Sequence, residues 1–114
     1  MLHGCRSEFS QVLIILLGNA AEALHTRGVD TKRITIGARY VERGLHLSVE
    51  DNAGGIAEGD ISRIFDPYFT TKVQTGGTGL GLYIAQIIIE HNMHGVLRAE
   101  NGTDGAIFTI SLPR

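Results

Sequence analysis

GGTGLGLYIAQIIIEHN, residues Gly76 to Asn92, sets four glycines within six positions and then runs without interruption into an apolar helical pattern. Glycine removes side chains from the backbone at the mouth of that helix, where the first N–H groups have no intrahelical partner. Such a mouth lets backbone amides approach an anion closely, and the helix dipole favours negative charge there. A phosphate group fits this description. So does a flexible glycine hinge ahead of a core helix, and the stretch alone does not choose between them.

Two familiar phosphate loops do not match. The P-loop ends in Gly-Lys-Ser/Thr, which is absent here. The dinucleotide fingerprint spaces its glycines as Gly-x-Gly-x-x-Gly after a strand, whereas Gly77, Gly79 and Gly81 alternate strictly and follow a polar loop.

On the N-terminal side of this stretch lies FDPYFTTKVQTGGTG, a polar, glycine-rich segment that reads as a long loop. Before it come a short helix around Glu58 to Ile64 and a glycine-rich turn at DNAGGI. RITIGARY and LHLSVED, joined by a Glu-Arg-Gly turn, alternate as an antiparallel hairpin does. The first segment, SEFSQVLIILLGNAAEALHTRG, is a helix with Ser7 as candidate cap, ending before Gly28. Phe9, Val12, Leu13, Leu16, Ala20, Ala23 and Leu24 share its broad apolar face, and Ile15, Asn19 and Glu22 line the neighbouring edge. On the C-terminal side, GVLRAEN and GAIFTISLP are two more strands around a Gly-Thr-Asp-Gly turn.

Composition sets outer bounds. With 114 residues and 43% hydrophobic content the chain is the size of one domain with a single core. Ten Lys and Arg against 12 Asp and Glu, scattered along the chain, make no basic field, so no nucleic-acid partner is expected. The lone Cys5 cannot form an internal disulfide, and no apolar run reaches the length of a membrane span. A cytoplasmic setting without membrane contact by this domain is the expectation.

Taken in order, QVLIILLGNAAEAL, VEDNAGGI, RIFDPYFTTK and GGTGLGLYIAQIIIEHN resemble the ATP-binding domain of sensor histidine kinases in the GHKL ATPase superfamily. The resemblance runs from about Glu8 to Pro113 and rests on four ordered motifs. It implies an α/β two-layer sandwich of the Bergerat type, a mixed β-sheet covered on one face by helices, with ATP and Mg²⁺ bound between helices and a mobile lid.

By that resemblance Asn19 is the residue that coordinates Mg²⁺, an amide oxygen suited to a hard cation that also holds triphosphate oxygens. Asp51 matches the aspartate that reads adenine: a carboxylate accepts from an exocyclic amine and repels the carbonyl of guanine. Gly55 turns the backbone around the pocket, and Ala53, where many relatives have glycine, implies a backbone angle open to an L-residue. In the phenylalanine motif, Phe65 and Phe69 anchor the lid, and Lys72 is placed to meet the terminal phosphate. Gly77, Gly79 and Gly81 wrap the triphosphate. Ile56, Thr71, Thr78, Leu80 and Leu82 complete the implied nucleotide contacts. Val73 to Gly77 is expected to be mobile until nucleotide orders it.

Two departures stand out. Ile15 occupies the position, four residues before Asn19, where many histidine kinases carry a second asparagine and the superfamily's ATP-hydrolysing switches carry a glutamate base. Ala106 stands where relatives often have a threonine hydroxyl, and Thr109 has the opposite strand parity. The family's phosphoacceptor histidine, followed by an acidic residue and then by arginine and proline, matches none of His3, His25, His46, His91 or His94; His91 follows Glu90 but falls at a helix end.

The expectation is therefore an N-terminally truncated catalytic domain spanning residues 1–114, without its phosphoacceptor region. Its partners would be the dimerisation and histidine-phosphotransfer domain of the same kinase and, indirectly, a response regulator. Alternative readings are a GHKL-type regulatory ATP-binding module and an ATPase switch without histidine kinase activity.

Overall fold

The computed structural model describes residues 6–42, 44–67 and 80–113. Helix α1 (Arg6–Thr26) starts before Ser7, which lies inside the first turn instead of capping it. The helix buries the expected stripe, with Val12 and Leu16 fully enclosed and Ala20 and Leu24 almost so. Its end follows from Gly28, whose φ of +65° lets Gly28 N–H reach His25 O (3.1 Å) and Val29 N–H reach Leu24 O (3.2 Å). That pair of bonds satisfies carbonyls the helix would otherwise leave open.

Strands β1 (Ile34–Val41) and β2 (Gly44–Asp51) form the first hairpin, and β3 (Val96–Asn101) and β4 (Ala106–Pro113) the second. The sheet order is β1-β2-β4-β3. Every pairing among these described strands is antiparallel, where a mixed sheet was expected. The reason is topological. The helical crossover from β2 to β3 makes those two strands run the same way, but β4 inserts between them, so no parallel pair is hydrogen-bonded.

The crossover contains α2 (Glu58–Ile61) and α3 (Gly81–Ile87). The α2 helix, which buries no residue of its own, stops short of Ile64; beyond it Arg63 N–H bonds Asp60 O at 2.8 Å and Asp66 N–H bonds Arg63 O at 2.9 Å, tighter turns that place Ile64 in the core. Leu80 caps α3, and the helix widens into a π-turn over Ile88–Asn92, closed by Met93 N–H to Ile88 O at 3.1 Å. This widened turn holds the consecutive Ile88 and Ile89 both inside.

The core lies between this helical layer and one face of the sheet: Val12, Leu16, Ala85, Ile88 and Ile89 meet Leu47, Val49, Leu97, Phe108, Ile110 and Leu112. Phe65 packs against it, edge-on to Phe108 with ring centroids 6.2 Å apart. No helix among the described residues is long and apolar enough to cross a membrane.

Candidate nucleotide site

Asp51 closes β2 and is the one buried charged residue among those described, 6% exposed. Burial of a carboxylate requires hydrogen bonds. Two backbone donors supply them: Ala53 N–H at 2.9 Å, in an Asx-type turn, and Ala106 N–H at 3.3 Å from the start of β4. Both end on Oδ1. The second oxygen keeps its capacity to accept from a ligand. Gly105 makes the close approach of β4 feasible, because a Cβ there would collide with the Asp51 carbonyl and with Oδ1.

The turn after Asp51 is tied to three other parts of the chain. Asn52 brackets the loop between α1 and β1, accepting from Arg33 N–H at 2.9 Å and donating to Thr31 O at 2.7 Å. Gly54 N–H bonds Asp104 O at 2.9 Å, and the Asp104 carboxylate meets Arg33 at 3.3 Å. Asn101 grips Ile56 by both backbone groups, at 2.7 and 2.8 Å. Gly54 and Gly55 have φ of +96° and +93°, a region L-residues rarely adopt. At Gly55 a Cβ would also press on Asn101 Oδ1 at 2.7 Å. Ala53, in contrast, keeps a negative φ, as its side chain requires.

Asn19 sits half-buried on α1, with Glu22 one turn further on. Ile15, one turn earlier, packs against the core, and its Cγ2 lies 3.4 Å from where a Cβ on Gly81 would stand. The edge of α1 that carries Ile15 and Gly81 at the start of α3 are thus neighbours. Leu82 and Ile56 pack on the core margin, and Leu80 O accepts from Ile84 N–H at 2.9 Å, so the first turn of α3 is formed. Phe69, Thr71, Lys72, Gly77, Thr78 and Gly79, with the segment from Val73 to Gly77, lie outside the described residues.

The parity argument for β4 holds: Ala106 is buried on the core face, and Thr109 lies on the other. Ala106 contributes through its backbone N–H, which reaches Asp51 whatever its side chain. Arg27, Asn101 and Gly105 were not singled out from the sequence. Gly105 was visible as a turn residue, but its contact with Asp51 spans 54 positions and has no local signature.

The donor set suits a nucleotide better than a metal held by protein alone. Among the described residues no three His, Cys, Asp or Glu side chains cluster as a metal cage. A single amide near a helix mouth fits a Mg²⁺ ion that brings most of its ligands as phosphate oxygens and water.

An antiparallel sheet under one helical layer, with a buried aspartate at the end of a central strand and a glycine turn directly after it, defines a two-layer α/β sandwich. Residues 4–114 match the family described as histidine kinase-, DNA gyrase B-, and HSP90-like ATPase, and the chain belongs to that family. It is 40% identical over 116 residues to the two-component sensor PprA of Pseudomonas aeruginosa, covering 99% of this chain and 12% of PprA. It is 38% identical over 104 residues to the sensor histidine kinase ZraS of Escherichia coli K12, covering 91% of this chain and 21% of ZraS. The chain thus spans about a fifth or less of these relatives. Among solved structures, the nucleotide-free catalytic domain of histidine kinase ThkA aligns with a TM-score of 0.82 at 37% identity, over 95% of this chain and 67% of that one. The mycobacterial sensor histidine kinase MprB, at 22% identity, shares the fold with a TM-score of 0.85, over 98% of this chain and 76% of that one.

Proposed function

We propose that the chain is the catalytic domain of a two-component sensor histidine kinase, which binds Mg²⁺-ATP and passes the γ-phosphoryl to a histidine on a separate dimerisation domain. A response regulator would receive the phosphoryl afterwards. The observation that carries this reading is the Asp51 turn, because a buried carboxylate with both backbone donors on Oδ1 leaves Oδ2 for an exocyclic amine. Similarity to sensor kinases and to the ThkA catalytic domain supports the same conclusion.

In this reading Asp51 selects adenine, and the Gly54-Gly55 turn gives the base room. Asn19 offers its amide oxygen to the metal, and Lys72 and the backbone of Gly77, Gly79 and Gly81 hold the triphosphate. Ile56, Phe69, Thr71, Thr78, Leu80 and Leu82 line the remaining contacts. Bound Mg²⁺ supplies charge neutralisation on the phosphates. The chain's own contribution is positioning, which carries most of the catalysis in phosphoryl transfer. Ile15 offers no general base at the position where a hydrolysing relative carries one, so water is a poor acceptor. The phosphoacceptor comes from another domain, and the site works in the cytoplasm whether or not the parent kinase is membrane-anchored.

Incubation with γ-labelled ATP tests this. The chain alone should stay unlabelled and release little phosphate, while a dimerisation domain from the same kinase, added in trans, should become labelled. Label on one of the five histidines of this chain, or brisk phosphate release by it alone, would replace the kinase reading with an ATPase switch.

A further inference from the structure

Arg27 is exposed and contributes nothing to the core, yet its placement is tightly specified. It directly follows the last residue of α1, with its N–H on Ala23 O at 2.9 Å, and the two capping bonds around Gly28 set where the chain leaves the helix. From there its guanidinium reaches across to the glycine turn. Nη1 donates to Ala53 O at 3.3 Å and Nη2 donates to Gly55 O at 3.1 Å. These two carbonyls flank Gly54, and both glycines have positive φ. The turn therefore presents two acceptors to one planar fork, a match that a lysine ammonium cannot reproduce.

We propose that Arg27 is a positioning residue for base recognition, fixing the adenine-facing turn to the helix that carries Asn19. This rests on the reading of Asp51 as the base-selecting group. Ala53 is held on both sides, by its N–H on Asp51 Oδ1 and by its carbonyl on Arg27. Loss of the fork frees a stretch containing two adjacent glycines, whose conformational entropy is the largest of any residue. The direction of the Ala53 N–H then loosens, and the Asp51 carboxylate loses its fixed aim. Asn52, at the start of the turn, is tied to the α1–β1 loop, and the ties from Asn101 and the Asp104 carbonyl come from the β3–β4 hairpin; among the described residues Arg27 alone holds the Ala53 and Gly55 carbonyls, from the end of the helical layer. Asn19 lies eight residues earlier, about 12 Å along the helix axis. Helix α1 thereby sets the spacing between the amide assigned to the metal and the turn assigned to the base.

The test compares the parent chain with Arg27→Ala, Arg27→Lys and Asp51→Asn. Calorimetry reads the affinity of each for ATP, for adenosine and for magnesium tripolyphosphate. Arg27→Ala should weaken ATP and adenosine about tenfold while leaving tripolyphosphate within about twofold, since two charge-assisted bonds are lost only at the base end. Its nucleotide-free melting temperature should stay within about 5 °C of the parent. Amide exchange at Gly54 and Gly55 should accelerate. Arg27→Lys should recover only part of the lost affinity, and it also serves if the alanine variant folds poorly. Unchanged adenosine affinity in Arg27→Ala, beside a clear loss in Asp51→Asn, would overturn the proposal and keep the base assignment. A parallel loss for tripolyphosphate, or full recovery with lysine, would reduce Arg27 to a general structural or charge effect. Unchanged adenosine binding in Asp51→Asn would instead remove the base assignment itself.

Discussion

β1 and β4 are both eight-residue strands rich in apolar residues, and they have opposite fates. Along β4, Ala106, Phe108, Ile110 and Leu112 are all buried; along β1, Ile36 is 55% and Tyr40 78% exposed. The contrast is sharpest between neighbours on one face of the sheet. Ile36 pairs with Val49, which is 1% exposed. The helical layer covers β2, β4 and Leu97 of β3, and on β1 it reaches Ile34 but leaves Ile36 in the open. An alternating pattern therefore specifies which side chains share a face, while the reach of the opposite layer decides whether that face is dry. At the other corner of the sheet the balance is reversed, since the Asp51 turn is held by directional bonds from Arg27 just after α1, the α1–β1 loop and the β3–β4 hairpin, with little apolar burial.

Core truncation should show the largest difference. Ile110→Ala removes a fully enclosed side chain and should cost about 2–5 kcal/mol in denaturant unfolding. The same truncation at Ile36 should cost far less. Equal losses would mean that the exposed face of β1 is covered in solution.

Gly105→Ala comes next. Its Cβ would collide with Asp51, and the forced shift should cost about 1–3 kcal/mol of stability together with a loss of ATP affinity. Gly44→Ala, which collides with the Leu112 carbonyl at the far end of the β2–β4 pair, should lower stability but leave the ATP affinity of the folded protein unchanged. Equal effects of the two substitutions on affinity would erase the distinction between a site end and a structural end.

Asp51→Asn keeps an acceptor for Ala53 and Ala106 and replaces the other oxygen by a donor. Stability should change little, and ATP affinity should fall by about 1–3 kcal/mol in calorimetry, the cost of an unsatisfied buried polar group. The smallest effect belongs to β1. Tyr40→Thr should stay within about 0.5 kcal/mol of the parent on thermal or chemical unfolding, as substitutions at exposed positions usually do.

Much of this arrangement was legible beforehand. The apolar stripe of α1, both hairpins, the formed first turn of α3 and the opposite parity of Ala106 and Thr109 follow from spacings of 3.6 and 2, which are local properties of the chain. The functional motifs were legible too, because each is a short contiguous run. The helix end at Ile61 and the π-turn after Ile87 were not, since short helices and widened turns depend on what the neighbouring layer accepts.

Sequence by itself determined which residues share a face on each element, the glycine positions, and the identity and order of the four motifs. Tertiary structure alone decided that β4 runs between β2 and β3 and makes the described sheet wholly antiparallel, and that β1 beyond Ile34 escapes the helical cover. It also decided that Ala106, Gly105, Asn101 and Arg27 converge on the turn after Asp51. Periodicity is written residue by residue along the chain. Convergence depends on which distant segments the packed layers bring within about 3 Å of one another, and no local pattern encodes that distance.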